Sequence, residues 1–205
     1  IWHLTERQSC RFFHDIIEAL AYLHSQNIAH IDIKPENFWL DTTGKTISIK
    51  LIDFGISSNY NDQELLHTSC GTSAFAAPEI YKGKEYNGLL CDIWSAGIVL
   101  YAMSFGYLPF SDENEQNNIN NIMNGNYEIP EEASPQLSDF LKHILDIDPL
   151  TRYDLDQIKQ HPWYNIVSPA KSLPGIIIGY HKIPIDERIL NVCEAYGFDK
   201  ESVRI

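Results

Sequence analysis

Three polar clusters combine residue types that do chemistry: His30-Ile31-Asp32-Ile33-Lys34-Pro35-Glu36-Asn37, Asp53-Phe54-Gly55 and Ala77-Pro78-Glu79. In the first, the carboxylate of Asp32 can accept a proton from a hydroxyl while the nearby Lys34 ammonium steadies developing negative charge. Asn37, five residues after Asp32, and Asp53 add hard oxygen donors. That pair suits Mg²⁺, which takes one or two protein oxygens and completes its shell with phosphate oxygens and water. Gly55 is expected to free the backbone to bend directly after Asp53. Competing chemistries fit less well. Asp32 and Asp53 do not make an aspartic-protease pair, because neither opens an Asp-Thr/Ser-Gly turn. His67 and Cys70 supply two ligands, too few for a metal site. His24 and His30 lack the one-turn spacing of a zinc-binding helix, and His30 reads as a packed core histidine.

These clusters need elements to hold them. Thr5-Glu6-Arg7-Gln8 has the form of a capping box, and Phe13, Ile16, Ile17, Leu20 and Leu23 behind it predict a helix with one buried stripe. Residues 28–41 break that period and read as a loop, and Thr46 to Asp53 predicts a short strand paired with Phe38–Leu40. Gly55 to Ala77 carries no period and reads as a polar, mobile loop. Asp92 to Phe105 is apolar on every side, as a central buried helix would be, with Trp94 and Trp163 as packing residues. Residues 112–126 predict an asparagine-rich surface helix anchored by Ile119 and Ile122. Shorter helices are expected over Pro135 to Leu145 and Asp154 to Gln160. Residues 165–184 read as a linker, and Asp186 to Tyr196 as the start of one more helix. The expected fold class is mainly α with a small β element beside an acid-rich loop.

Composition narrows the function. The 205 residues are 44% hydrophobic and 12% aromatic, enough to bury a core. The net charge of −13 argues against nucleic acid or an anionic membrane as the main partner. The longest apolar run seen in the sequence, Ala96 to Met103, falls short of the ~20 residues of a membrane span, and no leader pattern opens the chain. Four cysteines, far apart and without a C-x-x-C pair, fit buried thiols in a cytoplasmic or nuclear protein. A first residue of Ile rather than Met points to processing or to a longer parent chain.

In order and at these spacings, the clusters from about residue 1 to Trp163 resemble the C-terminal lobe of a eukaryotic serine/threonine protein kinase. The resemblance implies ATP and Mg²⁺ as cofactors and a protein partner bearing a Ser/Thr acceptor. Asp32 would be the catalytic base, Lys34 the phosphate-steadying lysine, and Asn37 and Asp53 the metal ligands. Trp39 would lie under the adenine ring, and Glu36 and Thr72 would meet the substrate. His30, Phe54 and Gly55 are implied structural residues, as are Glu79 paired with Arg152 and Asp92 bracing the catalytic-loop backbone. Leu66-His67-Thr68-Ser69-Cys70-Gly71-Thr72 resembles the activation segment of the AMP-activated and sucrose-non-fermenting group. That likeness makes Thr68 the regulatory site of an upstream kinase and adds regulatory subunits as partners. On this reading residues 1–164 are the kinase lobe, 165–184 the linker, and 185–205 the start of a ubiquitin-associated-like autoinhibitory segment.

Departures from the family pattern set further expectations. No glycine-rich loop precedes residue 5 and no strand lysine is present, so the N-terminal lobe is expected to be absent and the isolated chain inactive. Ile31 stands where an arginine usually grips the activation-loop phosphate, and residues 56–76 contain no Lys or Arg. Thr68 phosphorylation is therefore expected to matter less here. Trp39 replaces the usual leucine floor and can either stack on a base or fill its place. The alternative function is a catalytically inactive, pseudokinase-like scaffold or interaction module.

Overall fold

The capping box is formed as written in the sequence. Thr5 accepts from the Gln8 backbone N–H, Gln8 Oε1 accepts from the Thr5 N–H at 2.9 Å, and helix α1 runs Glu6–Ser25. The computed structural model describes residues 3–43, 46–59, 73–83 and 86–169. Asn27, at φ 56, turns the chain out of α1 into strand β1 (Ile28–Ala29). A single turn of 3₁₀ helix, Pro35–Asn37, leads into β2 (Phe38–Asp41), which pairs antiparallel with β3 (Ser48–Leu51), Trp39 opposite Lys50. β1 then pairs with β4 (Ser58–Asn59). Each ladder therefore clamps one end of the same two loops, 30–37 and 52–57, and holds them side by side.

The helical body lies beneath. Helix α2 (Pro78–Tyr81) is a short turn, followed by α3 (Gly88–Phe105), α4 (Glu115–Asn124), α5 (Pro135–Ile144) and α6 (Leu155–Gln160). Asn87, Asn114, Ser134 and Asp154 cap them with side-chain oxygens, and Gly106 and Gly125 close α3 and α4 at φ 81 and 64. α3 begins four residues before the sequence-predicted start at Asp92. Its 18 residues are long and apolar enough to cross a membrane, a longer run than Ala96–Met103, yet 78% of them are buried inside the protein. The apolarity is that of a core helix wrapped on all sides. Gly97 marks the closest approach, because a Cβ there would lie 2.3 Å from Ile144 Cγ2. Phe13 of α1, Phe140 of α5 and Trp163 pack edge-to-face and stacked at 4.9 to 6.1 Å. Glu6 ties this core at its rim, accepting from the Ser134 N–H and hydroxyl and from Trp163 Nε1. The helix expected over 112–126 is anchored by fully buried Ile122. The expected linker beyond residue 169, the helix at 186–196, His67, Thr68, Cys70 and Thr72 lie outside the described residues.

Candidate functional site

The loop between β1 and β2 is fixed from below by one buried carboxylate. Asp92, 1% exposed on α3, accepts the His30 N–H through Oδ2 at 2.9 Å and the Ile31 N–H through Oδ1 at 2.8 Å. His24 Nε2 makes a third contact to Oδ2 at 3.0 Å. Ile31 sits at φ 70, a region a β-branched residue enters only when its surroundings impose it. The His30 ring is wholly buried: its Nε2 meets the Ile52 carbonyl at 3.0 Å, and its Nδ1 lies 3.3 Å from the Asp32 N–H. Nε2–H donating and Nδ1 accepting is the tautomer these partners require. Phe54 stands edge-on to the same ring, centroids 5.1 Å apart.

That arrangement delivers Asp32 to its partners. Lys34 Nζ lies 2.6 Å from Asp32 Oδ2. Asn37 Nδ2 donates to the same oxygen at 2.9 Å and to the Asp32 carbonyl at 2.8 Å. With both amide donations directed at Asp32, the side-chain carbonyl oxygen of Asn37 is the group that could meet a cation. The Ile52 N–H donates to the Asn37 backbone carbonyl at 3.0 Å, so Asn37 and Asp53 belong to adjoining backbone segments. Asp53 itself has φ 62 and accepts the Gly55 N–H on Oδ1 at 3.1 Å. The bend expected at Gly55 is present, as a turn closed by the Ser57 N–H to the Phe54 carbonyl at 3.1 Å, and the left-handed residue that precedes it is Asp53. Gly55 also keeps room beside that carboxylate, where a Cβ would meet Oδ1 at 3.1 Å.

The donor set fits Mg²⁺ in kind: a solvent-facing carboxylate beside a buried, oriented amide carbonyl. Among the described residues no group of three or more His, Cys, Asp and Glu converges on one point. A cation held here would complete its shell with oxygens of a bound phosphate and water. Glu36 is exposed on its 3₁₀ turn, and Trp39 is 65% exposed on β2. Ile52, Phe54 and Ile56 extend this apolar surface around Asp53, at 38%, 50% and 44% exposure.

A second buried carboxylate secures the other flank. Glu79, on α2, takes a two-pronged grip from Arg152, Nη1 to Oε1 at 2.7 Å and Nη2 to Oε2 at 2.9 Å. The guanidinium also donates to the Leu90 and Asp146 carbonyls and lies 5.1 Å over the Trp94 ring. Cys91 donates its thiol to Glu79 Oε1 at 3.4 Å. Sequence reasoning missed Cys91 and the His24 contact. Both partners are distant in sequence, and a lone Cys or His carries no signal of its own.

A family model described as protein kinase domain matches residues 2–164. The chain is 40% identical over 187 residues to the mitosis inducer protein kinase cdr2 of Schizosaccharomyces pombe, covering 91% of this chain and 24% of that one. It is 39% identical over 201 residues to the SNF1-related protein kinase catalytic subunit alpha KIN12 of Arabidopsis thaliana, covering 98% and 40%. It is 41% identical over 213 residues to the carbon catabolite-derepressing protein kinase of Candida glabrata, covering 98% and 34%. The chain therefore spans at most two fifths of the length of these relatives.

Proposed function

This chain belongs to the protein kinase domain family, and from that premise we propose that it carries the catalytic loop of a serine/threonine protein kinase of the SNF1-related kind. The observation that carries the reading is Asp32, held by Lys34 at 2.6 Å and Asn37 at 2.9 Å on a loop imposed by Asp92. A Ser or Thr hydroxyl oxygen attacks the γ-phosphorus of ATP. The new P–O bond forms as the bond to the ADP oxygen breaks, and the hydroxyl proton passes to the Asp32 carboxylate. Lys34 offsets the negative charge gathering on the transferred group, and Asn37 holds Asp32 at the angle the hydroxyl needs. Asn37 and Asp53 would hold Mg²⁺, which supplies charge neutralisation of the phosphates.

Glu36, exposed beside this loop, is assigned to a basic residue of the protein substrate, and Thr72 to the substrate's approach. Thr68 is assigned as the regulatory phosphorylation site, served by an upstream kinase. Trp39, solvent-facing on β2, is assigned to the nucleotide base. The test is transfer of labelled γ-phosphate to a serine peptide by the full-length natural protein. Lys34→Ala and Asp53→Asn are expected to lower the rate by about 10²-fold or more, and unchanged rates would refute the assignment.

The exposed apolar surface of Ile52, Phe54 and Ile56 favours a second reading, an interaction module without catalysis. Absence of any Mg²⁺-dependent nucleotide binding by the natural protein in calorimetry would select it. Trp39→Leu would then separate a blocked base site, restored by the substitution, from one lost altogether.

A further inference from the structure

From residue 86 to residue 141 the chain contains no Lys, Arg or His, while it carries Asp92, Asp112, Glu113, Glu115, Glu128, Glu131, Glu132 and Asp139. Apart from Asp92, these acids lie on the exposed or half-exposed surface formed by α4, α5 and the segments leading into them. A groove of about 340 Å³ opens into that surface, between the segment after α3 and the segment after α4. Its walls are aromatic: Tyr101, Tyr107, Phe110 and Tyr127, with ring centroids 5.3 to 6.2 Å apart in edge-on contacts. Tyr107 is 47% exposed and presents its ring to solvent. Glu128 lines the groove, and Asp112 follows directly on Ser111 of its wall.

The groove is built rather than incidental. Tyr101 donates its hydroxyl to the Glu128 carbonyl at 2.7 Å, stapling α3 to the far wall. Burial, with the negative charge of Asp146 added, pushes the Tyr127 phenol up to about 12, so its ring stays neutral. The exposed face of Tyr107, with Glu128 on the same groove and Lys142 lying on the other side of Tyr127, attracts a guanidinium or ammonium by quadrupole and by charge together. A planar arginine head fits stacked against such rings while its nitrogens reach a carboxylate.

The geometry points to this groove as a docking site for an arginine-bearing basic segment of a partner protein, with the guanidinium against Tyr107 and paired with Glu128. The site is separate from the Asp32 loop and requires no nucleotide, so it stands or falls independently of the proposed catalysis.

The test is fluorescence anisotropy on the full 205-residue chain, with a fluorescein-labelled peptide of alternating arginine and leucine. A counterpart in which citrulline replaces each arginine keeps the shape and loses the charge. The arginine peptide is expected to bind at least about tenfold more tightly than the citrulline peptide, and less tightly as salt rises. Tyr107→Ala and Glu128→Gln are each expected to weaken binding about fivefold. Asp156→Asn, the same loss of charge on exposed α6, leaves it unchanged. Equal binding of the citrulline peptide would overturn the proposal. So would equal weakening by Asp156→Asn, which would reduce the effect to net charge. Self-association of the chain, dispersed by Glu128→Gln in sedimentation, would assign the groove to a second copy and likewise overturn it.

Discussion

Asp92 holds Ile31 in a left-handed backbone conformation. The carboxylate at the start of the buried helix spends one oxygen on the Ile31 N–H at 2.8 Å and the other on the His30 N–H at 2.9 Å. A β-branched residue at φ 70 costs on the order of 1–3 kcal/mol, and two charge-assisted hydrogen bonds out of water are of the size needed to offset it. The reversal at Ile31 is what turns Asp32 toward Lys34 and Asn37. The site's geometry is thus set by a residue far along the chain.

Replacing Asp92 is expected to be costly. Asp92→Asn leaves one amide oxygen for two N–H groups and turns an NH₂ donor against one of them. A loss of about 2–4 kcal/mol is expected in urea denaturation. His24→Ala, which removes the third contact, is expected to cost about 1 kcal/mol. An Asp92→Asn protein within about 0.5 kcal/mol of wild type would show that the clamp does not hold the loop.

The Glu79–Arg152 pair is buried, with the Arg152 side chain at 0% exposure and that of Glu79 at 9%. Arg152→Lys keeps the charge but loses the fork and the stacking over Trp94, and is expected to cost about 2–4 kcal/mol. The double variant Glu79→Leu with Arg152→Leu is expected to be more stable than either single change, since neither charge is left buried alone. Strict additivity in that double-mutant cycle would contradict the coupling.

Alkaline pH is expected to weaken the fold in a defined window. Burial pushes the Cys10 thiol up to about 11 from 9.0, against weaker lowering by the Val167 backbone and Arg7. Cys91 is pushed up further by burial and by Glu79. A folded state that binds the thiol proton more tightly is favoured fully below pH 9.0, and that advantage drains as pH rises toward about 11. Melting temperature should therefore fall through that interval, and Cys10→Ala should flatten part of the slope. A melting temperature flat from pH 9 to 11 would contradict it.

Gly97→Ala sets two effects against each other. Helix propensity favours Ala by about 1 kcal/mol, but the added methyl would sit 2.3 Å from Ile144 Cγ2 and 2.9 Å from Leu145 Cδ2. Overpacking should win, with a net loss of about 1–2 kcal/mol seen by thermal melting. A stabilised variant would mean that α3 and α5 part easily.

Much of this was legible from local pattern. The α1 capping box, its apolar stripe and the all-round apolarity of α3 are properties of neighbouring residues, and neighbouring residues dictate them. The hairpin of β2 and β3 showed in its alternation, although Ser48–Leu51 is shorter than the run from Thr46 to Asp53. Strands β1 and β4 did not show, because two residues carry no period, and residues 28–41 read as plain loop. The site residues stood out by type and spacing, but the reversals at Ile31 and Asp53 did not. Asp53 tolerates positive φ better and is steadied by a local bond from the Gly55 N–H to its own carboxylate, a signal the residue types did offer, whereas Ile31 is held there by Asp92, which no local pattern expresses. Cys91 and His24 were invisible for the same reason, since their partners, Glu79 and Asp92, are brought to them only by the fold.

The most direct measurement is γ-phosphoryl transfer from Mg²⁺–ATP to a serine peptide by the full-length natural protein, wild type beside Asp32→Asn, with nucleotide affinity followed in parallel. The expected result is a rate lowered about 10²- to 10⁴-fold by the substitution with nucleotide binding retained. Transfer by Asp32→Asn at the wild-type rate would contradict the role assigned to that carboxylate, and so would a wild type that binds nucleotide yet transfers nothing.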